Sequence, residues 1–224
     1  SNGIWIYVLG LIFMLFSFFI GSVLSKGLKM EIATKSMFKM HFVFGNVVFL
    51  AFPLISSVYD PASVKLALTY AVFYNLANDT LLWTLGIYLV NKHKENSWKD
   101  NLKHLINGNT IAFTLGIICI IINLQSIVES NEVVKAVYDV VYGTLKPLGE
   151  TTFTLSMLFI GLILSEVKIE SKDDLIKRYP SIILSAFKLL IIPIFALFAL
   201  KLTGDFISPM AKGIIVIQLA MPCG

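Results

Sequence analysis

The sequence predicts an all-α membrane protein, a polytopic bundle whose helices cross the bilayer several times. Hydrophobic residues make up 57% of its 224 residues and charged residues only 14%, against roughly 45–50% and about 25% in soluble domains. The mean hydropathy of +0.81 leaves too few polar side chains to cover a globule in water. The apolar residues form runs of about 20, the length that crosses a bilayer core as a helix. These runs lack the alternation of barrel strands, so helices are the predicted elements.

The same composition argues against several other classes of protein. Disorder requires low hydrophobicity and high charge, and a net charge of only +4 does not predict a nucleic-acid partner. The two cysteines, Cys119 and Cys223, lie in apolar runs, so neither a disulfide framework nor a cysteine-based zinc site is predicted. The sequence has no phosphate loop, no His/Glu metal spacing and no Gly-x-Ser-x-Gly motif. We therefore expect no enzyme activity and no cofactor.

Seven apolar segments predict membrane spans, and the seventh is incomplete. The segments are residues 4–24, 40–59, 66–90, 110–128, 151–165, 181–200 and 213–224. The fifth is too short to cross a bilayer alone, so we expect it to extend back into the amphipathic stretch 133–148. The chain begins without Met and stops inside the seventh run, which predicts a fragment of a longer protein.

The loops between the spans alternate in charge. Twelve of the 18 basic residues lie in the loops after spans one, three and five, and the positive-inside rule places these loops in the cytoplasm. The longest hydrophilic stretches, 91–109 and 130–150, are too short for a soluble domain of their own. We therefore predict a multi-pass protein of the plasma membrane with the lipid bilayer as a partner, whose working site lies within the membrane.

Span two carries residues that interrupt a helix. Gly45 and Asn46 are followed seven residues later by Pro53. Proline removes a backbone donor and clashes with the carbonyl four residues back, while Gly and Asn tolerate non-helical angles. Together they predict an opening whose freed carbonyls and half-helix ends face a cavity. The alternative is a kinked span that packs through its small residues.

Span seven repeats this pattern in the opposite direction. Leu219-Ala220-Met221-Pro222 matches Leu50-Ala51-Phe52-Pro53 except at one position. Matching broken helices of opposite direction indicate inverted repeats with a site at their crossing, which makes these spans the fourth and ninth of ten. The predicted crossover residues are Gly45, Asn46, Pro53, Gln218 and Pro222. The predicted division is residues 1–91 for the last three spans of the first repeat, 92–109 for a short cytoplasmic loop, and 110–224 for a second repeat truncated in its fourth span.

Two further spans contain polar side chains that lipid does not favour. In span three Asn75, Asn78 and Asp79 lie on one side of the helix, and a charge near mid-membrane costs at least ~2.5 kcal/mol. In the functional interpretation Asp79 couples the site to a proton or cation or contacts a substrate. In the alternative interpretation it is a structural acid that bonds to the neighbouring amides. For Lys188 in span six there are two functional interpretations, in which it neutralises an anionic substrate or pairs with Asp79. In the structural interpretation its side chain extends to the cytoplasmic surface, and we favour this one.

These motifs resemble those of the auxin efflux carrier family, which includes bacterial malate-permease-like proteins. The resemblance rests on residues 44–55 of span two, 75–76 and 82–86 of span three, 155–162 of span five and 219–222 of span seven. It covers essentially the whole chain in order. It implies a ten-span, five-plus-five inverted-repeat transporter with broken crossover helices, akin to bile-acid symporters and sodium/proton antiporters. It also implies that Asn46 binds a substrate carboxylate, as the equivalent Asn does in the plant carriers.

The resemblance implies a secondary active transporter of small organic anions that works by alternating access at the crossover. Auxin-like monocarboxylates and malate-like dicarboxylates are the implied substrates. A proton or sodium ion is a further expected partner, on the physical argument for Asp79 and not on the resemblance. Two alternatives stay open, a sodium/proton antiporter-like exchanger of related fold and a membrane receptor that binds a ligand without moving it. Assembly as a homodimer also stays open. The short loop 92–109 favours a prokaryotic-type carrier.

Overall fold

The computed structural model describes residues 2–28, 30–91, 108–166 and 179–223. The regular secondary structure of these residues is helical, without strands. Contacts divide the chain into two compact units, one formed by Ser1–Glu95 with Val167–Gly224 and the other by Asn96–Glu166. The crossover residues predicted from the sequence all lie in the first unit.

The described residues form eleven α-helices. In chain order they are α1 (Asn2–Gly27), α2 (Ile32–Val43), α3 (Ala51–Val58), α4 (Val64–Leu81), α5 (Ile87–Asn91), α6 (Gly108–Ile121), α7 (Leu124–Ser130), α8 (Glu132–Glu166), α9 (Tyr179–Ala186), α10 (Ile192–Lys201) and α11 (Pro209–Leu219). A π-helical turn, Leu82–Gly86, joins α4 to α5, and another, Phe187–Ile191, joins α9 to α10. The residues that flank each π-turn keep right-handed helical angles, so each pair forms one continuous helix.

Two of the described helices are long and apolar enough to cross a bilayer. These are α1 and the continuous helix Tyr179–Lys201, while α11 is apolar but shorter. The helix made of α4 and α5 is less apolar because it carries Asn75, Asn78 and Asp79. Span two is divided between α2 and α3, so neither part is long enough alone.

Several predicted span boundaries are wrong. Helix α2 begins at Ile32, eight residues before the predicted start of span two. Helix α11 begins at Pro209, because the Ser208 hydroxyl accepts a hydrogen bond from the Ala211 amide at 3.3 Å and caps the helix. The predicted span 110–128 is not one helix, since Asn123 adopts a left-handed conformation with φ of 52° between α6 and α7.

The second unit is built around one long helix. Helix α8 has 35 residues and contains Pro147 in its interior. The predicted extension of span five into the amphipathic stretch 133–148 is therefore confirmed. The extension is longer than expected, because α8 starts at Glu132 and includes the whole stretch.

In the first unit α1 packs closely against α2 and α4 through small residues. Its buried positions include Gly3, Gly10, Ser17, Gly21 and Ser25. A Cβ atom on Gly21 would lie 2.9 Å from Phe42 Cβ, and one on Gly10 would lie 3.3 Å from Ala77 Cβ. Small residues allow this close approach between membrane helices. Helix α1 therefore holds α2 and α4 in place around the broken span.

Two hydrophobic clusters fill the first unit. The smaller one surrounds α3 and α11 and consists of the buried residues Ala51, Ile55, Ala67, Ala71, Ile214 and Met221. The larger one joins α1, α2, α4, the α9–α10 helix and α11, with Phe13, Phe42, Tyr74, Ile192 and Leu219 among its buried members. Both clusters include residues from the two spans that carry the Leu-Ala-x-Pro sequence, so these spans lie in the interior of the unit.

Candidate functional site

The helix of span two is interrupted, as the sequence predicted. Helix α2 ends at Val43, Phe44–Asn46 are not helical, and a turn over residues 47–50 leads into α3. We call residues 44–50 the first break. Pro53 does not cause it, because Pro53 is the third residue of α3, where amide groups have no intrahelical acceptor in any case. The proline marks the start of the second half-helix instead.

The helix of span seven ends at the corresponding place. Helix α11 stops at Leu219, Ala220 forms a turn, and Met221–Cys223 have no regular secondary structure. We call residues 220–223 the second break. Pro222 lies in this irregular segment and is exposed.

The two breaks are in direct contact. The Asn46 amide donates a hydrogen bond to the Pro222 carbonyl at 2.8 Å. A Cβ atom on Gly45 would lie 3.0 Å from the Met221 carbonyl oxygen, so a larger residue could not approach the second break as closely. At the other end of α3, a Cβ atom on Gly213 would lie 2.9 Å from the Tyr59 hydroxyl. These two contacts show that the spans run antiparallel and meet at their breaks.

The Asn46 side chain has one end engaged and one end free. Its Oδ1 atom accepts a hydrogen bond from the Leu50 amide at 3.2 Å, which covers a donor at the start of the second half-helix. Only the carbonyl oxygen can accept from an amide, so this bond fixes the orientation of the side chain. Among the described residues no partner is found for Nδ2, which is left as a donor beside the crossing.

The carbonyl groups at the end of α2 are covered by residues from elsewhere in the chain. The Lys188 ammonium group donates to the Phe42 carbonyl at 3.0 Å and to the Val43 carbonyl at 2.8 Å. The Cys223 thiol lies 3.6 Å from the His41 carbonyl as a weak donor. Lys188 is only 2% exposed. The expectation that it extends to the cytoplasmic surface is therefore wrong.

Asp79 has amide partners on its own helix. Asn75 Nδ2 donates to Asp79 Oδ2 at 3.4 Å, and the Asn78 side chain also hydrogen-bonds to this carboxylate. Asp79 is half-buried, whereas Asn78 is 5% exposed and its Oδ1 has no partner among the described residues. Asp79 and Lys188 form no ion pair within the described part of the chain, so the expected pairing of these two charges is not found.

The contacts along α4 place this polar group beside the first break. Ala67 and Ala71 belong to the same cluster as residues of α3. Further along the helix, a Cβ atom on Gly86 would lie 3.3 Å from the Phe44 ring. The helix therefore follows span two from α3 back to the end of α2, and residues 75–79 fall between these contacts, opposite the break.

Gln218 is the polar residue next to the second break, in the last turn of α11. It is 1% exposed, and neither Nε2 nor Oε1 has a hydrogen-bond partner among the described residues. Buried amides are nearly always paired, so an unpaired one calls for a ligand, a water or a functional reason. The sequence identified Gln218 only through its position beside the Leu-Ala-Met-Pro sequence.

Two features that sequence reasoning missed are the π-turns and the acceptors of Lys188. One π-turn contains Lys188, and the other ends at Gly86 against the first break. Such turns frequently occur at functional sites. No group of three or more His, Cys, Asp or Glu side chains that could hold a metal ion is found in the described residues.

An apolar helical unit in which a broken helix meets the end of an antiparallel helix has the features of a transporter crossover. The family model described as "Membrane transport protein" matches residues 2–101 and 96–224, and the chain belongs to this family. The match confirms the resemblance to auxin efflux carriers and malate-permease-like proteins. The protein is thus a membrane-embedded transporter. No curated protein and no solved structure matches the chain.

Proposed function

We propose that the protein is a secondary active transporter that moves small organic anions by alternating access around the crossing of its two breaks. The observation that carries this proposal is the contact between the breaks, where the Asn46 amide reaches the Pro222 carbonyl at 2.8 Å. Half-helix ends that meet inside a membrane unit leave backbone and side-chain groups available to a polar substrate. A rocking motion of one bundle against another would expose such a site to each side in turn.

The charges around the first break favour an anion as the substrate. The N-terminal end of α3 carries the partial positive charge of a helix start. Asn46 Nδ2 adds a donor that has no partner among the described residues, and Lys188 adds a buried positive charge at the end of α2. A carboxylate of an auxin-like or malate-like molecule would receive a hydrogen bond from Asn46 in this field. This supports the substrate-binding role of Asn46, with Gly45 and Pro222 allowing the close crossing.

We propose further that Asp79 couples transport to a proton or sodium ion. Asp79 is half-buried beside the first break, and Asn75 and Asn78 orient its carboxylate. Asn78 and Gln218 add buried amide oxygens without partners among the described residues. Oxygen-rich surroundings of this kind suit a bound proton or a hard cation. The same group would serve a sodium/proton exchanger of related fold, which is the second candidate function.

Flux in proteoliposomes tests the proposal and separates the candidates. The full-length protein is reconstituted, and the uptake of radiolabelled malate and indole-3-acetate is followed with and without imposed proton and sodium gradients. Uptake of either anion above its concentration outside is the expected result. Sodium/proton exchange without anion movement would favour the exchanger instead. Saturable anion binding without flux would favour a receptor.

A further inference from the structure

The C-terminal end of α2 is covered completely, although the helix stops in the interior of the unit. The last carbonyl groups of a helix have no intrahelical donor and need partners from outside. Here the Met40 carbonyl accepts from the Phe44 amide at 2.9 Å, and the His41 carbonyl faces the Cys223 thiol. The Phe42 and Val43 carbonyls both accept from Lys188. The Lys188 ammonium group therefore occupies the end of this helix.

Lys188 is a buried cation without a buried counter-charge. Of the charged side chains among the described residues, only that of Lys188 is buried, with 2% of its surface exposed. Its acceptors there are two neutral carbonyl groups, and no carboxylate of the described chain pairs with it. Two neutral hydrogen bonds and a helix end offset part of the cost of burying an ammonium ion. The positive charge is thus retained next to the crossing rather than cancelled.

The position of this charge matters because the first break joins two helix ends of opposite polarity. The C-terminal end of α2 carries a partial negative charge, and the N-terminal end of α3 carries a partial positive one. An anion at Asn46 would be attracted by the N-terminal end of α3 and repelled by the C-terminal end of α2. The Lys188 ammonium group covers the C-terminal end of α2.

We infer that Lys188 sets the charge selectivity of the crossing: by neutralising the negative end of α2, its ammonium group lets the break accept an anion. Lys188 is a positioning residue in this role, since it acts on the field at the site and does not touch the substrate. The inference rests on the proposed function, because it explains why the crossing binds anions. An anion at Asn46 lies near the Lys188 charge, because Lys188 bonds to the Val43 carbonyl. Val43 precedes Asn46 by only three residues, which span at most about 10 Å of extended chain.

The expected effect depends on the charge of the substrate. At ~8 Å and an effective dielectric of ~20, the interaction of two unit charges changes a binding constant by roughly 30-fold. A substrate with a second negative charge at a similar distance loses still more binding affinity when Lys188 is replaced by a neutral residue. A neutral analogue of the same shape is unaffected, and this difference separates a selectivity role from simple capping of α2.

The test uses probes that share a skeleton and differ in charge. Malate, malamic acid and malamide carry two, one and no negative charges, and indole-3-acetate with indole-3-acetamide forms a second pair. Dissociation constants are measured by calorimetry on purified full-length protein for the parent, Lys188→Gln, Lys188→Arg and Lys201→Gln. Lys188→Gln removes the charge but keeps donors for the carbonyls. Lys201→Gln is the matched control, because Lys201 is exposed at the end of the same helix, where its ammonium group lies 5.5 Å from the centre of the Phe198 ring.

We expect Lys188→Gln to weaken the singly charged probes by roughly 10- to 30-fold and malate by more, with neutral probes changed less than about twofold. Lys188→Arg and Lys201→Gln should keep the parent's ratio of charged to neutral affinity. An equal loss for charged and neutral probes in Lys188→Gln would overturn the inference and leave a capping role. If Lys188→Gln does not fold, Lys188→Arg provides the test. A folded Lys188→Arg protein that no longer shows the parent's ratio of charged-probe to neutral-probe affinity would also overturn the inference. A parent that neither binds nor moves malate or indole-3-acetate would refute the proposed function itself.

Discussion

The two breaks meet each other but are held in different ways. The first break depends on distant parts of the chain, since Lys188 and Cys223 cover the carbonyls of α2 and the Pro222 carbonyl receives the Asn46 amide. The second break is closed by its own backbone. The Ala220 amide bonds to the Val216 and Ile217 carbonyls at 3.0 and 3.2 Å, and the Met221 amide bonds to the Gln218 carbonyl at 3.3 Å.

The difference extends to the tetrapeptide that the two spans share. Leu50 is the last residue of the first break, and Ala51-Phe52-Pro53 begin α3. In the other tetrapeptide, Leu219 ends α11, and Ala220-Met221-Pro222 belong to the second break. Similar sequence therefore takes two conformations within one unit. The first break is the more sensitive of the two to substitutions elsewhere, because its partners come from other helices.

The largest expected effect comes from separating the breaks. Gly45→Val places a branched side chain where a first carbon already lies 3.0 Å from the Met221 carbonyl oxygen. Overpacking of this kind costs ~1–3 kcal/mol, so we expect a lower melting temperature and loss of anion flux in proteoliposomes. Gly27→Val is the matched control, because nothing lies within 4 Å of its Cβ position. A Gly45→Val protein with parental flux would show that the breaks need no close contact.

The next effect concerns the acid beside the first break. Asp79→Asn keeps the shape of the side chain but cannot bind and release a proton. If Asp79 couples transport, uptake against a concentration gradient should collapse while binding and downhill exchange continue. Uptake under imposed proton and sodium gradients measures this. Asp60→Asn serves as the control, because Asp60 is exposed outside the spans and either side chain can accept from the Ala62 and Ser63 amides. Concentrative uptake by Asp79→Asn would make the carboxylate structural.

Asn46 allows its two contributions to be separated. Asn46→Asp keeps an oxygen for the Leu50 amide but replaces the Nδ2 donor with a carboxylate oxygen, so stability should persist while anion affinity falls. Loss of a charge-assisted hydrogen bond of ~1.5–3 kcal/mol alone corresponds to about 10- to 150-fold in the dissociation constant, and repulsion between the new carboxylate and an anion adds to this loss. Asn46→Ala should lose the affinity and also about 1 kcal/mol of stability, because the hydrogen bond that Asn46 Oδ1 accepts from the Leu50 amide is lost too. Parental affinity in a folded Asn46→Asp protein would argue against the substrate contact.

The smallest effect is expected at Gln218, in the last turn of α11 before the second break. Gln218→Leu removes a buried amide that has no partner among the described residues, and burying such a group costs ~1–3 kcal/mol. We therefore expect a stability gain of about 1 kcal/mol, measured as a higher melting temperature, together with slower transport if Gln218 serves the site. Asn78→Leu should instead destabilise the protein, because Asn78 is a partner of Asp79. Lower stability of Gln218→Leu would indicate that the amide has a bound partner.

Much of the architecture was predictable because it depends on local composition. Apolar runs long enough to cross a bilayer identify the helices of α1, α9 and α10. Gly45-Asn46 and the repeated Leu-Ala-x-Pro sequence identified the two spans that break. The start of α11 was misplaced because its helix cap, Ser208, lies five residues before the apolar run. The ten-span repeat and the division at residues 92–109 stay predictions.

By itself the sequence determined that this is a helical membrane protein, which spans are interrupted, and which residues stand at the interruptions. Composition, run length and local backbone preference carry that information. Only the tertiary structure decided what completes the first break. Phe42 and Lys188 are 146 residues apart in the chain, and no local pattern specifies which carbonyls a lysine will meet across that separation. It also decided that Pro53 begins a helix while Pro222 follows one, because neighbouring helices, rather than the shared tetrapeptide, supply the partners for the backbone groups that each break exposes.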